Sequence, residues 1–155
     1  KRELPSLMAL HNLQGTESTI KYYTGLEAMK GLYLETLKKI KNGEDYLVIA
    51  NQEKWYSLDP KFSQFYIEER AKLNIKTRLL FQDSPFAREQ VLLNRNFNQE
   101  ARILPPDTFL NVDTLLLPNK LITLELAPPY MAVVIENKGI IELHREMFEL
   151  IWRSL

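Results

Sequence analysis

Residues 45–81 read DYLVIANQEKWYSLDPKFSQFYIEERAKLNIKTRLLF, and this stretch decides the fold. Its opening, residues 45–50 (DYLVIA), is a short apolar run preceded by Asn42-Gly43, the pattern of a buried strand. Asp59-Pro60 then opens a helix, with a carboxylate at the cap and a proline in the first turn, where its missing N–H costs little. Phe62, Phe65, Tyr66 and Leu73 fall on one side of that helix, and Asn74 ends it. Residues 75–81 (IKTRLLF) form the next strand. A strand, a helix and a strand in this order predict parallel strands joined by a right-handed crossover.

Upstream, residues 20–23 (IKYY) predict a short strand. Thr24 followed by Glu27 has the form of a capping box. The helix after it runs to about Lys41, with Leu26, Met29, Tyr33, Leu37 and Ile40 spaced 3, 4, 4 and 3. Downstream, Asp83-Ser84-Pro85 caps a further helix to about Phe97. Residues 101–104 (ARIL) are a short strand stopped by Pro105-Pro106. Residues 111–117 and 121–126 flank a turn at Pro118-Asn119-Lys120 and predict a hairpin. Residues 130–136 (YMAVVIE) are another strand. Ile140, Leu143, Met147 and Ile151 recur at helical spacing, with Phe148 and Trp152 thickening that face. The expectation is one α/β domain, a mixed β-sheet of about five to seven strands flanked by helices on both faces. Residues 2–14 (RELPSLMALHNLQ) predict a short amphipathic helix that is exposed unless it packs on a partner. Residues 15–19 are a polar break.

Composition narrows the function. The chain has 155 residues, 45% hydrophobic and 26% charged, ordinary for one globular domain able to bury a core. There is no cysteine, so a disulfide framework and thiolate metal sites are excluded; this fits a reducing cytoplasm. No apolar run approaches the roughly 20 residues that cross a bilayer. Lysine plus arginine and aspartate plus glutamate are equal at 20 each. A protein built to hold a phosphate backbone usually carries a basic excess.

The residues offer little catalytic chemistry. The two histidines, His11 and His144, lie in different predicted helices. His144 begins His-Arg-Glu-Met-Phe, not the two-histidine signature of a zinc protease helix. None of the serines occupies a Gly-x-Ser-x-Gly elbow, and Ser84 reads as a helix cap. The five glycines form neither a dinucleotide fingerprint nor a phosphate loop, so no cofactor and no metal is expected. What remains is a set of pocket candidates. Asn51, Gln52 and Asp83 stand just beyond strands, where open α/β sheets bind ligands. Asp113 interrupts an apolar strand: it either faces solvent from a half-exposed face or lines a polar pocket, since an unpaired buried carboxylate is costly.

The segments Tyr22-Tyr23-Thr24-Gly25-Leu26-Glu27, Tyr46-Leu47-Val48-Ile49-Ala50, Phe65 to Leu80, Arg102-Ile103-Leu104-Pro105, Val133 to Lys138 and Phe148 to Trp152 follow one another in an order that resembles the C-terminal domain of TrmB-like transcriptional regulators. The resemblance covers about residues 4–154. It implies a fold related to phospholipase D, preceded in such proteins by a DNA-binding winged helix and a helical dimerisation linker. On this reading residues 1–14 end the linker, residues 20–155 are the regulatory domain, and the winged helix is absent from this chain. The resemblance further implies a homodimer, DNA bound through the missing domain, and a small-molecule effector. Phospholipase D enzymes carry His-x-Lys-x4-Asp. Here Asp113, Leu115 and Lys120 would take those three places, and residues 12–143 contain no histidine. The expectation is therefore a retained fold without catalysis. The competing expectation is a hydrolase or phosphodiesterase-like enzyme of unrecognised type, using Asp113 or Asp83 with a metal.

Overall fold

A computed structural model describes residues 18–155. The expected linker helix at 2–14 lies outside them. The order is β1 (Thr19–Thr24), α1 (Leu26–Lys39), β2 (Asp45–Ala50), α2 (Gln52–Leu58), α3 (Pro60–Ala71), β3 (Lys76–Phe81), α4 (Pro85–Leu92), β4 (Glu100–Ile103), β5 (Val112–Leu117), β6 (Lys120–Glu125), β7 (Met131–Glu136) and α5 (Lys138–Ser154). The strands form one seven-stranded sheet in the order β1-β7-β6-β5-β2-β3-β4. The pairs β2–β3 and β3–β4 are parallel, as the helical crossovers require, and the remaining ladders are antiparallel. Among the described residues no helix is long and apolar enough to cross a membrane.

Pairing fixes which side chains share a face. Val48 lies opposite both Leu79 and Leu115, so Tyr46, Val48, Ala50, Asp113 and Leu117 all point to one side. That side is covered by α1, α2 and α3, whose Met29, Leu32, Tyr33, Trp55, Tyr66 and Ile67 build the largest core cluster. On the other side Leu47, Leu80, Leu116 and Leu121 meet Ile141, Phe148 and Trp152 of α5. The Phe148 and Trp152 rings stack at 5.6 Å. Arg78 of β3 lies 5.3 Å from each ring centroid and holds the Glu149 carboxylate through two hydrogen bonds of 2.9 and 2.6 Å.

Several local expectations are corrected. Thr24 caps nothing. It is the last residue of β1, paired with Met131, and Gly25 takes the cap position of α1. The Gly25 φ of 94° suits glycine, and its N–H donates to the Tyr130 carbonyl at 2.8 Å. Helix α4 stops at Leu92 and is followed by turns, so it does not reach Phe97. Phe65 is half exposed. Helix α5 carries two apolar stripes, and the structure buries the aromatic one. Ile140, Leu143 and Met147 stay on the outside together with Leu150. Aromatic rings remove more area from water per residue, which decides between the stripes.

Candidate functional site

Helix α2 was not expected, and it builds the site. Its seven residues are too few to show a period. The Asn51 side chain caps it, accepting from the Lys54 N–H at 3.1 Å. The N–H of Asn51 donates to the Asp113 carboxylate at 2.9 Å. The start of α2 is thus tied to the middle of the sheet, and Gln52, its first residue, is buried.

Beneath α2 and α3 the layers leave a cavity of about 20 Å³, room for about one water molecule. Gln52, Trp55, Tyr33, Tyr46, Tyr66, Arg70 and Asp113 contribute to its wall. The rings lock one another in place: Tyr33 meets Trp55 edge-on at 5.7 Å and Tyr66 at 4.9 Å, and Phe62 stacks on Tyr66 at 6.0 Å. The Tyr46 and Tyr66 hydroxyls share a hydrogen bond of 2.7 Å. Burial pushes the Tyr33 and Tyr66 hydroxyls well above the ordinary phenol range, so both stay protonated.

Two charged residue types sit in this wall. Asp113 is 3% exposed, which overturns the solvent-facing alternative. The cause is its position: β5 is paired on both sides, and the Asp113 face lies under helices. Burial pushes its carboxyl well above the usual carboxylate range, and the Asn51 N–H offsets that only in part. Arg70 is 4% exposed. Its guanidinium lies 5.3 Å from the Tyr46 ring centroid, and Nη2 donates to Gln99 Oε1 at 2.6 Å. Its Nε has no hydrogen-bond partner among the described residues. Among the described residues no carboxylate forms an ion pair with it.

The expected site residues therefore divide. Gln52 and Asp113 meet at the cavity, and Asn51 orients Asp113 from behind. Asp83 stands apart: Arg88 holds it by two bonds of 2.7 Å, and that guanidinium keeps its carboxyl below the usual range. Arg70 and the aromatic wall were missed. A signal was present, because Ser63, Tyr66, Ile67 and Arg70 follow the helical period and are all buried. Among the described residues no three of His, Cys, Asp or Glu converge as metal ligands.

The upward shift of the Asp113 carboxyl has a measurable consequence. An unfolded aspartate ionises near pH 3.9, at about the model-peptide value. The folded carboxyl keeps its proton to higher pH, so between the two values the folded state binds more protons. Stability falls as pH rises through that window. Asp113→Asn removes the titration while leaving an oxygen for the Asn51 N–H. Urea unfolding at a series of pH values is expected to show the variant gaining on the wild type above pH ~4. Parallel curves would mean that Asp113 ionises normally.

No protein-family model matches the chain, and no curated protein does. Solved structures share its fold. One is TrmBL2, an archaeal chromatin protein whose structure shows a novel mode of DNA binding. The TM-score is 0.60 at 18% identity, over 97% of this chain and 58% of that one. Another is NucT from Helicobacter pylori, with a TM-score of 0.59 at 10% identity, over 89% of this chain and 98% of that one. The chain thus spans little more than half the length of TrmBL2. The likeness concerns the fold alone: α/β, a mixed sheet flanked by helices.

Proposed function

We propose that this chain is the effector-sensing and dimerisation part of a cytoplasmic, TrmB-like DNA-binding regulator, and that it works without catalysis. One observation carries the reading: the small aromatic cavity between the sheet and the helices α2 and α3, with Asp113 and Arg70 buried in its wall. A phosphodiesterase of this fold family needs a histidine nucleophile open to substrate, and residues 12–143 have no histidine. At Asp113 the chain offers a buried carboxyl in its place. A cavity this small suits sensing, because a ligand larger than water needs α2 or α3 to give way. Ligand occupancy then biases two arrangements of those helices. The DNA binding attributed to TrmBL2 supports the regulator reading. The balance of 20 basic and 20 acidic residues favours contact through a winged helix preceding this chain.

The test is a DNA titration at two salt concentrations, with the natural full-length protein beside this chain. The expected result is tight, steeply salt-dependent binding by the former and none by the latter. Absence of binding by both removes the regulator reading. Phosphodiesterase turnover that vanishes in Asp113→Asn removes the non-catalytic one.

A further inference from the structure

We infer that the cavity beneath α2 and α3 is a carboxylate site, with Arg70 as the group that holds the anion. The inference rests on the pocket reading above and names its ligand class. A buried guanidinium without an anionic partner is expensive, of the order of several kcal/mol before relaxation. Folded proteins pair such charges or give them a ligand. Arg70 is 4% exposed and, among the described residues, forms no ion pair and leaves Nε unsatisfied. Its Gln99 partner is neutral and its Tyr46 partner is a ring face.

Asp113 lines the same cavity but does not act as the counter-ion. Its one hydrogen-bond partner among the described residues is the Asn51 N–H, and burial favours the acid form. In that form it is a donor, so the cavity presents a cation and an acid O–H to whatever enters. A neutral polyol leaves the Arg70 charge uncompensated. The roughly 20 Å³ between the packed rings holds about one water, so any anion enters as α2 and α3 give way, and the smallest, thinnest anion needs the least displacement. A planar carboxylate is thin, accepts from Arg70 Nε on one oxygen and leaves the other for a hydroxyl or acid donor.

The probe is sodium formate, and the readout is thermal unfolding of this chain at constant ionic strength, without DNA. The wild type is expected to gain about 5 °C or more at a formate concentration 100-fold above Kd, saturably. Arg70→Met is expected to fold, because an apolar isostere relieves the buried charge, and to lose the formate response. Asp113→Asn is expected to keep it. A wild type that responds no more than Arg70→Met overturns the site. So does a response that appears only in Asp113→Asn, since Asp113 would then be the counter-ion of Arg70. If Arg70→Met fails to fold, NMR of the wild type with 13C-formate decides: cross-relaxation to the Tyr46 and Tyr66 rings supports the site, and its absence at saturation overturns it. Because DNA plays no part, carboxylate binding can fail while the regulator reading stands, and the reverse.

Discussion

Phe148→Ala is expected to lower the unfolding free energy by about 3–5 kcal/mol. Helix α5 alone supplies helical side chains to the core cluster on its side of the sheet, among the described residues. Phe148 is 1% exposed, stacked on Trp152 and covered by the Arg78 guanidinium. Truncation removes apolar area from the core and leaves a void that a sheet surface cannot close. It also removes one of the two rings that position Arg78 over Glu149. Against a typical net stability of about 5–15 kcal/mol, the loss is a large fraction. Leu150→Ala on the opposite stripe is the control: Leu150 is 60% exposed, and the change is expected to stay within about 0.5 kcal/mol. Urea unfolding followed by tryptophan fluorescence measures both. Equal costs for the two variants would mean that α5 does not pack by its aromatic stripe.

Tyr66→Ala is expected to cost a similar amount, about 3–5 kcal/mol. Tyr66 is 1% exposed and touches Tyr33, Trp55 and Phe62, so its loss loosens the whole wall of the cavity. Tyr66→Phe separates the hydroxyl from the ring. It leaves the buried Tyr46 hydroxyl without its partner, at a cost of about 1–3 kcal/mol. Adding Tyr46→Phe removes both polar groups, and the double variant is expected to cost less than the sum of the two single changes. Strict additivity in that cycle would mean that the two hydroxyls are not bonded to each other.

Much of this architecture was legible in the sequence. The runs at 45–50 and 75–81 are apolar, short and bounded by polar breaks, and both are strands in parallel register. The hairpin was legible because Pro118-Asn119 interrupts two such runs. What failed did so for physical reasons. A capping box needs its threonine outside the preceding ladder, and Thr24 is inside it. Helix α5 is apolar on two sides, so periodicity established the helix without choosing its buried face. For the site, strand position pointed to Gln52 and Asp113 but equally to Asp83, whose nearby Arg88 forms a surface pair. Arg70 follows Glu68 and Glu69 in a charged triplet that has the look of a solvated helix face, although the Ser63, Tyr66, Ile67 stripe carries it inward. A charge on a buried stripe is invisible to any rule that assigns charge to solvent.

The pairing of the first described strand with the last one sets an order on folding. Thr19 and Glu136 are neighbours in the sheet and 117 residues apart in the chain. Closing so long a loop costs entropy that only a preformed β7 can offset. The block from β2 to β4 rests on short-range crossovers and needs nothing from that ladder. On the ribosome β1 emerges before the other described strands and waits for more than a hundred residues before its partner exists. Meanwhile its edge is unpaired, with Ile20 and Tyr22 exposed even in the finished fold. Of the described strands, the earliest to be synthesised is therefore the latest to be secured, and it is the one left longest as an unpaired edge.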